Sequence, residues 1–113
     1  MPDNTFVLLK VTVAEQTFRV NVPSDVLEDG EDFFHSLDRD MDSGWQMSRV
    51  WVANPDAVQR CQIVADKLLT ALEQDNEQSI GLLAAYILKR CPGTTEVVVD
   101  TAGNMLDTQL RRE

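Results

Sequence analysis

The 113-residue sequence contains few of the side chains that usually carry catalysis or hold a metal ion. It has one histidine, two cysteines and one tyrosine. Any Ser-His-Asp or Cys-His mechanism would have to use His35, and no serine close to it in the sequence stands in a nucleophile-elbow context. The sequence has no Cys-x-x-Cys pair and no cofactor motif. These absences favour a protein without enzymatic activity and without a bound cofactor.

Basic side chains are also scarce, because ten Lys and Arg residues stand against 19 Asp and Glu residues, for a net charge of −9. Most of the acidic excess lies in residues 25–42, the acidic connector, where Arg39 is the one Lys or Arg. The acids of this connector are Asp25, Glu28, Asp29, Glu31, Asp32, Asp38, Asp40 and Asp42. Such a field repels phosphate backbones and anionic lipids, so we expect binding neither to nucleic acid nor to membranes.

The N-terminal residues lack the basic and apolar regions of a signal peptide, and no apolar run reaches the ~20 residues of a membrane-spanning helix. Two cysteines without a secretory signal indicate reduced thiols and a cytoplasmic protein. Cys61 and Cys91 occupy apolar positions in two predicted helices, so we interpret them as small buried hydrophobic residues. A disulfide between the helices is geometrically conceivable, but a reducing compartment disfavours it.

Two helices are predicted within residues 54–91, and the rest of the chain is arranged around them. The first begins at Asn54, the predicted N-cap, with Pro55 in its first turn and apolar residues in steps of three and four. Asn76 is predicted to cap the second helix, which ends before Pro92. The second helix is apolar on nearly all sides, which indicates extensive burial. It also suggests self-association into a homo-oligomer, since one sheet and one helix would not cover it.

Hydrophobic alternation predicts two β-hairpins, one on each side of the central helices. Residues 5–13 and 17–22 form the first hairpin, with one apolar and one largely polar face. Residues 95–100 and 105–110 form the second, with Gly103 expected in the left-handed region of the connection.

A further helix is predicted over residues 29–41, on a sparse apolar stripe in a strongly acidic body. Its Phe33 and Phe34 either face the core, which we favour, or serve as apolar anchors for a partner. Residues 45–52 suit either a short strand or an irregular connection held by two tryptophans.

We therefore predict a single α+β domain over residues 1–113, in the order β-β-α-(β)-α-α-β-β. An isolated two-stranded ribbon is marginal in water, so the N-terminal and C-terminal hairpins should join into one antiparallel sheet of about four strands. Two or three helices are expected to cover that sheet. Strand order does not follow from the pattern.

Three carboxylates at alternate positions, Asp38, Asp40 and Asp42, match the opening of an EF-hand calcium loop and predict a candidate divalent-cation site. The match then fails, because Ser43 stands where the loop needs Gly and Arg49 where it needs a bidentate Glu. The favoured interpretation of these residues is a solvated acidic helix end and turn.

A candidate partner-binding surface combines acidic and aromatic side chains: Glu28, Glu31, Asp32, Trp45 and Trp51. Aromatic side chains are over-represented at interface hot spots, and neighbouring acids would steer a partner with a basic surface. The competing interpretation is that both tryptophans are packed into the core.

No motif in the sequence specifies a biochemical activity. The leading hypothesis is a non-enzymatic accessory or regulatory protein that contacts another protein through the acidic connector. One alternative is a small-ligand or divalent-cation binding module centred on residues 38–52. A second alternative is an enzyme that uses His35.

Overall fold

The structure, a computed structural model, describes residues 5–112. Across this range the chain forms six strands, four α-helices and one short 3-10 helix. In chain order these are β1 (Phe6–Val13), β2 (Gln16–Pro23), α1 (Ser24–Asp29), α2 (Glu31–Asp42), β3 (Trp45–Met47), β4 (Val50–Val52), α3 (Ala57–Glu73), α4 (Glu77–Arg90), β5 (Thr94–Val99), the 3-10 helix (Met105–Asp107) and β6 (Gln109–Arg112).

The main sheet has the strand order β2-β1-β5-β6 and is mixed. The pairs β1–β2 and β5–β6 are antiparallel, whereas β1 and β5 are parallel, with Val11 opposite Val97. The prediction of a four-stranded α+β sheet is confirmed, but the purely antiparallel arrangement is wrong. The helices between β2 and β5 bring the chain back to the end of the sheet at which β2 ended, so β5 runs opposite to β2. Because β1 also runs opposite to β2, and β5 pairs with β1, these two neighbouring strands are parallel.

One face of this sheet lies against the helices and supplies much of the core. Its inward residues are buried in all three of the longer strands: Leu9, Val11, Val20, Val22, Val97 and Val99. The alternation predicted for the first hairpin is therefore confirmed. On the opposite face Lys10 and Arg19 face each other across β1 and β2, and both are exposed.

Helix α1 was not predicted, so four α-helices are present where two or three were expected. Two connections also differ from the predicted order. Residues 45–52 form a small separate hairpin of β3 and β4, with Ser48 at φ +60° in the turn between them. In the C-terminal hairpin, the Asn104 side chain accepts a hydrogen bond from the Leu106 N–H and so caps the 3-10 helix. Because this helix occupies residues 105–107, β6 begins at residue 109 and not at the predicted residue 105. Gly103 has φ +89°, so its predicted left-handed conformation is confirmed.

Helix caps decide where the two central helices begin. Asp56, not Asn54, is the N-cap of α3: its carboxylate accepts from the Gln59 N–H at 2.8 Å, and the Gln59 side chain accepts from the Asp56 N–H at 2.9 Å. This reciprocal capping box satisfies two backbone donors at once, which Asn54 does not do. The cap predicted for α4 is confirmed, because Asn76 Oδ1 accepts from the Ser79 N–H at 3.3 Å.

Helix α4 is covered on most sides, as its apolar composition predicts. It contacts β2, α3 and α1, and α2 reaches it through the aromatic contact of Phe34 with Tyr86. Five consecutive residues, 83–87, are buried. The apolar surface that suggested self-association is thus covered within one chain, and a homo-oligomer stays a prediction. Among residues 5–112 no helix combines the length and apolar character needed to cross a membrane.

Replacing Asp56 with Ala should lower the free energy of unfolding by about 1 kcal/mol, because it removes the acceptor that caps α3. Urea unfolding followed by circular dichroism measures this change. The control Asn54→Ala alters an exposed residue and should change stability by less than about 0.5 kcal/mol. A larger loss for Asn54→Ala than for Asp56→Ala would contradict the cap assignment.

Candidate functional site

Helix α2 carries most of the acidic connector and packs against both central helices. Its Phe34, Leu37 and Met41 are buried, and the Phe34 ring meets the Tyr86 ring edge-on with centroids 6.0 Å apart. Phe33 is half-buried beside Phe34. The interpretation of Phe34 as a core residue is therefore confirmed, and it is not available as an anchor for a partner.

Asp38 is the polar centre of this packing. Its Oδ1 accepts from the Tyr86 hydroxyl at 2.5 Å and from Arg60 Nη1 at 3.3 Å. Its Oδ2 accepts two hydrogen bonds from the guanidinium of Arg90, at 3.1 Å from Nε and 2.9 Å from Nη2. We call Asp38, Arg60, Tyr86 and Arg90 the Asp38 cluster. Both carboxylate oxygens are satisfied, which partial burial of a charge requires.

The electrostatics of the Asp38 cluster favour the ionised carboxylate. Burial by itself raises the pKa of Asp38, but hydrogen bonds from Tyr86, Arg90 and Arg60, with the positive charge of Arg90, outweigh it. The pKa of Asp38 therefore lies below its ordinary value. Burial, and then the hydrogen bond to Asp38, raise the pKa of Tyr86. The phenol stays a donor and the carboxylate an acceptor across the ordinary pH range.

Each arginine of the Asp38 cluster holds a second acid of α2. Arg90 Nη2 lies 3.4 Å from Glu31 Oε1, and Arg60 Nη1 lies 3.0 Å from Asp42 Oδ1. Positions 31, 38 and 42 fall on one face of a helix with 3.6 residues per turn. Arg90 also lies over aromatic rings, 5.4 Å from the Tyr86 centroid. Two arginines therefore offset two of the three negative charges on the inner face of α2.

The three predicted metal ligands do not converge. Asp38 and Asp42 share Arg60, whereas Asp40 is exposed. Asp40 is two positions along the helix from each of them, which is a rotation of about 200° around the helix axis. Within residues 5–112 no group of three His, Cys, Asp or Glu side chains is arranged to hold a metal ion. The cation site stays a prediction, and calorimetric titration with calcium is its test.

The remaining acids of the connector form an outer face without arginine partners in the described range. They are exposed on α1 and α2: Asp25, Glu28, Asp29, Asp32 and Asp40. His35 lies near them, with 67% of its side chain exposed and Nε2 at 3.5 Å from Glu31 Oε1. Catalysis by His35 would need a concave site with an oriented partner, so this geometry gives the enzyme hypothesis no support.

The two predicted tryptophans have different environments. Trp45 is half-buried, with Lys67 Nζ 4.8 Å from its ring centroid, so it packs on α3. Trp51 is 58% exposed, and its neighbour Val50 is 50% exposed. The indole of Trp51 lies against Gly44, immediately after α2, and the φ of +111° at Gly44 suits glycine.

The hairpin that carries Trp51 is fixed to the main body. Ser48 Oγ accepts a hydrogen bond of 2.9 Å from the Met105 N–H, which joins the β3–β4 turn to the C-terminal 3-10 helix. At the other side, Gly44 joins β3 to the end of α2. Trp51 is thus an exposed aromatic side chain on an anchored support, beside the C-terminal end of the acidic helix.

Sequence reasoning missed the partners of Asp38. Tyr86 and Arg90 are 48 and 52 residues from it, and Arg60 is 22 residues away. One signal was present: Tyr86 and Arg90 are four residues apart, so their polar ends share one face of an otherwise apolar helix. Arg90 also suits the end of a helix as a cation that complements the helix dipole, so its position in the sequence does not by itself indicate a partner.

Comparison with protein-family models, with curated proteins and with solved structures finds no significant match.

Asp38→Asn should lower the free energy of unfolding by about 2 kcal/mol at pH 7, because charge-assisted hydrogen bonds are lost. The folded-state pKa of Asp38 lies below the unfolded value of about 3.9. The stabilisation is therefore complete above about pH 4 and is lost as the pH falls through the folded-state pKa. Urea unfolding should show the deficit of the variant shrinking below about pH 4.

The matched control for this pH series is Asp40→Asn, which removes the same charge from the exposed side of α2. It should change stability by less than about 0.5 kcal/mol at pH 7. Equal losses for the two variants would contradict the role assigned to the Asp38 cluster.

Gly44→Ala should lower the free energy of unfolding by about 1–3 kcal/mol and displace Trp51, because the backbone is left-handed and the new Cβ would lie 2.8 Å from Trp51 Cε2. Urea unfolding and tryptophan fluorescence measure the two effects. Gly81→Ala is the control: nothing lies within 4 Å of a Cβ at this helical position, so it should stabilise by roughly 0.5–1 kcal/mol. A neutral Gly44→Ala would refute the close contact with Trp51.

Proposed function

We propose that the protein is a non-enzymatic accessory or regulatory protein that binds a protein partner with a basic surface. The proposed contact is the acidic–tryptophan surface: Asp25, Glu28, Asp29, Asp32, Asp40 and Trp51. The observation that carries the proposal is Trp51, a large aromatic side chain that is 58% exposed on an anchored hairpin next to the acidic helix.

The exposure of Trp51 supports an interface at this position. Tryptophan buries a large apolar area when a partner covers it, and it is among the residues most enriched at interface hot spots. Holding the indole against Gly44 reduces the conformational entropy that binding would otherwise cost.

The exposed acids of α1 and α2 define the chemistry of the partner. The inner acids of α2 are paired with Arg60 and Arg90, which offset two of their three negative charges and so reduce their contribution to the external field. The outer acids have no such partners within residues 5–112, and the net charge of the whole chain is −9. A partner surface with Lys or Arg side chains around an apolar contact for the indole would match this surface and associate faster at low salt.

The structure changes which of the predicted partner-binding residues enter this proposal. Glu28, Asp32 and Trp51 are exposed and belong to the acidic–tryptophan surface. Glu31 is engaged by Arg90, and Trp45 packs under Lys67. We leave these two residues out of the proposed contact. The proposal also assigns the protein to the cytoplasm, a reducing compartment in which the thiols of Cys61 and Cys91 would be kept reduced.

A comparative pull-down tests the proposal. Tagged wild type is incubated with native lysate beside two variants, Trp51→Ala and the double variant Glu28→Gln/Asp32→Asn, and retained proteins are quantified by mass spectrometry. A retained protein is then purified and titrated by calorimetry. Trp51→Ala should weaken binding by roughly 30-fold or more, as expected for a hot-spot aromatic residue. The double variant should slow association and reduce its dependence on salt.

The double variant Asp66→Asn/Glu73→Gln is the control, because it removes two charges from exposed positions of α3, outside the proposed contact. It should bind as wild type does. Circular dichroism establishes that all variants are folded. Binding that survives Trp51→Ala, or that falls equally in the control, would refute the proposed contact.

A further inference from the structure

The two cysteines of the chain meet in the core, where α3 begins and α4 ends. The Sγ atoms of Cys61 and Cys91 are 3.2 Å apart, and both side chains are buried. Interpretation as small hydrophobic residues explains their burial. It does not explain why two thiols 30 residues apart lie side by side.

Each of these cysteines follows an arginine of the Asp38 cluster. The sequence contains Arg60-Cys61 in the first turns of α3 and Arg90-Cys91 at the end of α4. The arginines point to Asp38 on α2, while the cysteines point to each other. The thiol pair therefore lies directly behind the two side chains that hold the acidic helix in place.

The geometry is close to that of a disulfide. A disulfide has a sulfur–sulfur distance of about 2.05 Å, so the sulfurs need to approach by roughly 1.2 Å. Cys91 lies outside the helical region, with φ −125° and ψ 74°, and Pro92-Gly93 follows it. Its N–H still donates to the Ile87 carbonyl at 2.9 Å, so the backbone is held, and we assign the approach of the sulfurs to rotation about χ1 of Cys91 and of Cys61.

We propose that Cys61 and Cys91 are a reversible dithiol–disulfide pair whose co-reactant is a small-molecule disulfide. One cysteine gives up its proton and attacks a sulfur of the co-reactant, which breaks that S–S bond and releases one thiol. The second cysteine then attacks the protein-bound sulfur of the mixed disulfide and releases the second thiol. The protein loses two electrons and two protons, and the co-reactant takes up both to become two thiols.

The environment of the pair sets the rate of this reaction. Burial, followed by the contact with Cys91 and the charge of Asp38, raises the pKa of the Cys61 thiol. The closed structure therefore holds the Cys61 thiol protonated, and exchange proceeds when the last turn of α4 opens. Once formed, the disulfide closes a loop between α3 and α4 and restrains the unfolded chain. It also fixes Arg60 and Arg90 relative to each other beneath α2.

The test uses purified protein, reduced and then incubated with oxidised glutathione. Samples are denatured and alkylated without reductant, and their intact masses are measured. We expect the oxidised monomer to be lighter than the reduced chain by the mass of two hydrogen atoms and to take up no alkyl group. Its thermal midpoint should rise by roughly 10 °C, and dithiothreitol should reverse both changes. The fully reduced control should take up two alkyl groups.

The variants Cys61→Ala and Cys91→Ala should each show no intramolecular oxidation and no rise in thermal midpoint. The wild-type comparison of oxidised with reduced protein decides the question even if a variant does not fold. Two alkylated cysteines after oxidation, a stable glutathione adduct on either cysteine, or a disulfide between two chains would overturn the proposal.

Discussion

The interaction on which the arrangement of the helices depends is the carboxylate of Asp38 with its donors, Tyr86, Arg90 and Arg60. A carboxylate at the contact between three helices loses hydration, and this loss by itself disfavours its charge. Donors from both α3 and α4 reverse the balance and keep the carboxylate ionised. Because removal of any one partner leaves a charge incompletely compensated, this set of contacts specifies one orientation of α2 on the central helices.

That orientation divides the acidic connector into two sets with different physical roles. Glu31, Asp38 and Asp42 face arginines and serve the fold. The acids on the opposite side of α2 and on α1 face solvent, and they give the surface its field. The buried Phe34, Leu37 and Met41 turn the same side of α2 to the core, so apolar packing and the Asp38 contacts together maintain this division. Trp51 belongs to the outward side because Gly44 turns the chain at the end of α2.

The number of elements that pack against α4 explains the unusual composition of this helix. A helix packed on one sheet needs a single apolar stripe, whereas α4 meets β2, α3, α1 and the aromatic side of α2. Its polar side chains are correspondingly restricted to its ends and to Tyr86, whose hydroxyl reaches Asp38. Arg90 and Cys91 at the C-terminal end then serve two neighbours, Asp38 on α2 and Cys61 on α3.

Local pattern by itself determined the elements that depend on neighbours in sequence. Alternation in residues 5–22 specified the first hairpin, three-and-four spacing specified α3 and α4, and Asn76 marked the start of α4. Tertiary structure alone decided the parallel pairing of β1 with β5, because chain direction depends on where the helices return it. It also decided whether the carboxylates of Asp38, Asp40 and Asp42 lie close together. Spacing at 38, 40 and 42 suggested convergence, but a helix turns Asp40 to the side opposite Asp38 and Asp42. The arginine that Asp38 and Asp42 share, Arg60, comes from a distant segment.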